Sequence, residues 1–225
     1  EDGLAAAELA KSLGNHRAEI IALNAVCAIN DCMAQSEKAG EHAERSLELA
    51  KQIGARRFEA FALKNLAVVT HALGRRADAI QLLKQAADIS HETGNTFVGP
   101  LIRGRLAAFG DDETERLAAL DEGDEILKSP CVGHNYLWFY RDAIDACLDM
   151  NDWDRADHYA LLLEGYTRVE PLPWSSFLAA RGRALSKYGR GDKSEETTRQ
   201  IRDAIAEAKR TGFWAAIPKL EVALI

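Results

Sequence analysis

The sequence predicts an all-α fold, a right-handed superhelix built from antiparallel helix pairs stacked in tandem. Gly14, Gly54 and Gly94 stand 40 residues apart, each closing an Ala/Leu-rich run that is followed by a short polar turn. Sliding the chain by 40 sets Arg17 on Arg57, Glu19 on Glu59, Ala22 on Ala62 and Leu23 on Leu63, so the register continues into the next run as an internal repeat. Strand-like alternation of apolar and polar residues is absent throughout.

The clearest unit spans 55–94. Residues 56–73 read as a first helix, Gly74-Arg75-Arg76 as a turn, and Ala77 to Thr93 as a second helix, in which Ile80, Leu83 and Ala87 recur at helical spacing. Gly94 stops it, because glycine takes the left-handed conformation without steric cost. The same pattern gives a partial repeat over 1–14, repeats over 15–54, 95–132, 133–172 and 173–212, and a terminal helix over 213–225. The prolines of Ser129-Pro130 and Glu170-Pro171-Leu172-Pro173 fall between helices, where a missing N–H does least harm. Pro100 belongs to the first turn of a helix or just before it, and Pro218 is expected to bend or end the last one. Leu4 to Leu13 reads as the second helix of a pair, so the chain is expected to be cut from a longer protein.

Composition narrows the function classes. A chain of 225 residues, 47% apolar and 28% charged, can bury a substantial core. Its formal charge of -7 argues against nucleic acid or an anionic membrane as partner. Cys27, Cys32, Cys131 and Cys147 form no CxxC pair and sit in helical patterns, as reduced thiols of a cytoplasmic protein would. His16, His42, His71, His91, His134 and His158 lack a second ligand at metal-site spacing, so no metal and no cofactor are expected. Phosphate-loop, HExxH and GxSxG motifs are absent, which leaves nothing to argue for catalysis.

Asn65-Leu66-Ala67, Gly74, Ala79, Leu83 and Ala86 carry a resemblance to the tetratricopeptide repeat: a small residue midway along the first helix, a turn glycine, then two alanines seven apart. Gly182, Gly189 and Ser194 fit it in the fifth repeat; Cys147, Trp153 and Ala156 fit it more loosely in the fourth. A narrower likeness lies in Asn151-Asp152-Trp153-Asp154-Arg155-Ala156, Glu170-Pro171-Leu172-Pro173-Trp174 and Ala180-Arg181-Gly182-Arg183-Ala184-Leu185. These look like the helical-repeat tail of bacterial proteins that carry an adenylate/guanylate cyclase domain and a signalling ATPase domain. That resemblance implies a regulatory arm and supplies no catalytic residue.

Groove residues follow from the repeat. Lys64 and Asn65 resemble two positions of the family's carboxylate clamp, but Val68 stands where a clamp asparagine would be, and Asn24, Ala25 and Ala28 occupy the equivalent sites one repeat earlier, so a chaperone-tail clamp is not expected. Arg103, Arg105, Arg141, Arg181 and Arg183 fall on first helices and suggest a positive inner stripe for an acidic peptide or anionic metabolite. On that expectation, Arg141→Ala or Arg181→Ala weakens binding with little loss of stability. Tyr136, Trp138, Phe139 and Tyr140 are too dense to face one core, which offers Tyr136 or Trp138 to a ligand. Asp142, Asp145 and Asp149 recur at i, i+3 and i+7 and read as a solvated face. Arg190-Gly191-Asp192 reads as a plain turn.

The function these features imply is a non-catalytic module that binds a protein segment or small effector on its concave face, with the upstream domains of its own chain as further partners. A structural arm that self-associates into a homodimer is the alternative, and an all-α enzyme with an unfamiliar site is the third.

Overall fold

In the computed structural model, which describes residues 2–225, helices follow one another from end to end and no strand occurs among the described residues. They are α1 (Asp2–Ser12), α2 (His16–Cys32), α3 (Ser36–Gln52), α4 (Arg56–Ala72), α5 (Arg76–Glu92), α6 (Gly99–Phe109), α7 (Glu113–Leu127), α8 (His134–Asp149), α9 (Trp153–Thr167), α10 (Pro173–Gly189), α11 (Glu195–Thr211) and α12 (Ile217–Ala223). A 3-10 turn, Trp214–Ala216, precedes α12.

The turns explain the regularity. Gly14, Gly54, Gly74 and Gly94 each take positive φ, 65°, 65°, 77° and 97°, as a left-handed residue must where a helix is closed and the chain reverses within three residues. Ala34 and Asn151 hold the same conformation at φ 53° and 57° without being glycine. The turn therefore recurs every 20 residues from Gly14 to Gly94, and Ala34 breaks the glycine signal for it. Starts are fixed by side-chain caps: Asn15, Asp112, Asp152 and Ser194 accept the N–H of the residue three places on.

Two elements differ from the sequence expectation. The first helix of the third pair starts at Gly99, after an extra turn through Asn95 at φ 53°, and Pro100 sits in its first turn, where no N–H is needed. The last helix does not begin near residue 214. Residues 214–216 form the 3-10 turn, and Pro218 lies in the first turn of α12 and starts it rather than bending it.

Small residues set the distance between helices. Gly123 on α7 faces the ring of Phe139 on α8, itself wholly buried; an added Cβ would stand 2.6 Å from its Cζ. Gly189 faces Trp153 in the same way, with 2.6 Å to the indole. Because Phe139 is locked among Leu120, Ala143 and Tyr159, its ring has nowhere to go. Gly123→Ala is expected to destabilise the protein by about 1–3 kcal/mol in urea unfolding; an unchanged midpoint would show that α7 and α8 can separate freely.

The first helices α2, α4, α6, α8 and α10 form the inner layer and the second helices the outer one. Curvature is tight enough that α2 touches the 3-10 turn 214–216 near the other end of the chain.

Candidate functional site

The inner layer carries an ionic cluster. Asp31 at the end of α2 receives Arg105 from α6 and Arg141 Nη1 from α8 at 3.0 Å. Arg141 also grips Asp142 through Nε and Nη2, both at 2.7 Å from Oδ1, and Arg105 Nε lies 3.1 Å from Asp142 Oδ2. Arg181 on α10 donates to Asp145 at 2.8 Å and to the Ala216 carbonyl at 3.2 Å. Lys219 reaches Asp149 and the Asp145 carbonyl. Burial pushes the Asp142 carboxyl up to about 7 against the pull of Arg141, whereas Asp145 lies below its ordinary value because Arg181 and Lys219 outweigh its burial.

This cluster corrects the expected positive stripe. Arg105, Arg141 and Arg181 are spent on carboxylates of the inner layer, those of Asp31, Asp142 and Asp145, and Arg181 is 2% exposed. Arg103 leans to α7 and pairs with Glu122 at 2.6 Å, and Arg183 pairs with Glu164 on α9 at 2.5 and 2.7 Å. The Asp142/Asp145/Asp149 stripe is likewise no solvated face: Asp142 is buried, and all three are partnered by Arg or Lys. Near-neutral stability of the Arg141 and Arg181 alanine variants is therefore no longer expected, because each change would remove the main partner of a carboxylate held between helices.

Lys64 is different. It is 6% exposed, and its Nζ has no hydrogen-bond acceptor among the described residues, lying 5.0 Å from the Phe61 ring. Burial pushes it down to about 8, and Arg141 adds to that push, while Asp31 and Asp142 pull it back. Asn65 does not point to a ligand. Its Nδ2 donates to Asn24 Oδ1 at 2.8 Å, and Ser46 Oγ donates to the same oxygen at 3.2 Å. Asn24, 3% exposed, thus keeps a buried Nδ2 with no acceptor.

Beside this polar floor runs an apolar furrow. Its first part, a cavity of about 520 Å³, lies between Ile21, Asn24, Ala25, Ala28 and Ile29 on α2 and Phe58, Phe61, Phe97, Val132, His134 and Trp138. Its second part, about 480 Å³, continues past Trp138 to Leu137, Pro173, Trp174 and Phe213, sharing Ala28 and Ile29 with the first. Phe97 meets Phe58 and Phe61 edge to face at 5.3 and 6.3 Å, while Trp138 meets Trp174 at 4.9 Å and carries the Arg141 guanidinium 4.4 Å from its ring centroid. His134 Nε2 is committed to the Phe97 carbonyl at 2.7 Å, and burial holds the ring below its ordinary pKa, so it is neutral at pH 7.

Of the expected aromatics, Trp138 lines both parts of the furrow. Tyr136 does not: it stacks on Tyr166 of α9 at 4.6 Å, and Phe139 and Tyr140 are core. Sequence reasoning missed Ile21 and Ile29, more than half exposed on α2. The available signal was that apolar residues of α2 cover more than the one stripe a packed helix needs.

No group of His, Cys, Asp and Glu among the described residues is arranged to hold a metal ion, and no helix is long and apolar enough to cross a membrane. No curated protein matches the chain. Residues 19–91, from the first turn of α2 to the last turn of α5, match the family model described as tetratricopeptide repeat, and with the tandem helices this establishes that the chain carries a tetratricopeptide-like helical repeat.

Proposed function

We propose that this chain is a non-catalytic binding module whose working surface is the apolar furrow, and that it serves as the regulatory arm of a multidomain cytoplasmic signalling protein of the adenylate/guanylate cyclase type. Repeats of the tetratricopeptide family mediate protein–protein interaction in general. The observation that carries the reading is the contrast on the inner layer. Apart from Lys64, its charges pair internally, while Ile21, Ile29 and Val132 remain exposed around aromatic walls. Contiguous exposed apolar surface in a concave site marks binding.

The parentage rests on the resemblance of residues 151–156, 170–174 and 180–185. Those segments also have work of their own here: Asp152 caps α9, Trp153 covers Gly189, Pro173 opens α10, and Gly182 lets Ile144 approach. Ligand in the furrow would bear on α2, α4 and α8 together, so binding would alter the curvature presented to upstream domains.

The test is binding of a neutral solvatochromic dye such as Nile red. One saturable site is expected, with Ile29→Glu weakening it by about tenfold or more, because a charge would have to be buried. Thermal stability should not change, since Ile29 is a surface residue of α2. Dye binding unaffected by Ile29→Glu would sink the assignment of the furrow.

A further inference from the structure

We infer that the cavity inside the ionic cluster binds a neutral polyhydroxylated molecule, a monosaccharide or cyclic polyol. This site stands apart from the furrow and does not depend on its reading.

The cavity measures about 150 Å³. Its polar half is made of three guanidinium groups, those of Arg105, Arg141 and Arg181, and three carboxyl groups, those of Asp31, Asp142 and Asp145. The ion pairs use up only part of these groups. Arg105 Nη1 and Arg181 Nη2 donate to nothing among the described residues, Asp31 Oδ1 and Asp145 Oδ2 accept from nothing, and none of the four atoms is sealed off by surrounding protein. Arg105 and Arg181 are 8% and 2% exposed. Guanidinium groups so deep offer their free N–H groups to what occupies the cavity, not to bulk solvent.

This mixture selects the ligand. A net anion would lie against the free oxygens of Asp31 and Asp145, and a net cation against the free N–H groups of Arg105 and Arg181. A hydroxyl donates once and accepts twice, so it pairs with a carboxyl oxygen and a guanidinium N–H at the same time. Several hydroxyls on one small frame replace the hydrogen bonds of the roughly five waters that such a volume accommodates at ~30 Å³ each. The rest of the lining includes Trp174, Leu178 and Phe213, an apolar wall suited to the C–H face of a ring.

The test is calorimetric titration of the intact chain with D-glucose, D-galactose, D-ribose, myo-inositol and glycerol, with inorganic phosphate and L-serine as charged arms. At least one neutral polyol should bind saturably below about 10 mM, with an affinity that added salt leaves unchanged. Ala215→Phe places a ring in the cavity from an exposed position of the 3-10 turn and should weaken that binding by about tenfold or more. Its far-UV circular dichroism should match the parent's, so that lost binding is not lost fold. Nile red should still enter the furrow, which Ala215 does not line. Binding of none of the neutral polyols would overturn the site, whatever the dye does in the furrow. Binding of phosphate or serine in their place would overturn the neutral ligand, and polyol binding indifferent to Ala215→Phe would overturn its location.

Discussion

Arg141→Ala is expected to lower the stability of the protein by roughly 3–5 kcal/mol, the usual cost of breaking a buried ion pair by removing one partner. Arg141 joins Asp31 on α2 to Asp142 on α8, and both carboxylates depend on it and on Arg105 alone for their pairing within the cluster. Without it, the carboxyls of buried Asp142 and half-buried Asp31 share one guanidinium, and the Trp138 ring loses its cation. Arg103→Ala is the control. Its partner Glu122 is mostly exposed, and a pair of that kind contributes about 1 kcal/mol or less. Urea unfolding of the two variants side by side decides the matter, and losses of similar size would mean that the inner cluster is as dispensable as a surface pair.

Lys64→Met should move stability the other way. The folded amine titrates at about 8 against an ordinary 10.5. A depressed folded pKa means that the protonated amine opposes folding: the penalty is fully present below about 8 and relaxes as pH rises from about 8 to about 10.5. Each pKa unit is about 1.4 kcal/mol, so the penalty at neutral pH is roughly 3 kcal/mol. Methionine fills a similar volume without charge. The variant should therefore be the more stable form at about pH 7, and its advantage should shrink by about pH 10. An advantage that stays constant across that range would mean that packing, not ionisation, is its source.

The helix pairs were legible because three-residue turns and left-handed glycines repeat at fixed spacing. Where Ala34 and Asn151 take the glycine's conformation, sequence reading loses the turn chemistry but not the helix, since the apolar face continues. The fold at the C-terminal end was less legible, because Pro218 reads equally well as a break or as a start. Placement on inner helices was correctly read for Arg105, Arg141 and Arg181, and their availability was not. The carboxylates that neutralise them include Asp31, 110 residues before Arg141, and nothing local signals that meeting. Trp138, singled out by aromatic density, lines the furrow. Asn24 was seen only as a mismatch to the clamp, although its amide oxygen gathers Asn65 and Ser46 into a buried polar group between helices.

The contact between α2 and the 3-10 turn 214–216, with the Asp31 pairs beside it, has a thermodynamic consequence. Open repeat arrays behave as one-dimensional chains in which units melt from the ends and stabilities add between nearest neighbours. Here early and late units share a seam, so fraying at either end exposes both. The array gives up independent melting of its units for a single cooperative transition, and a change in α2 is felt at α12 without passing through every helix between.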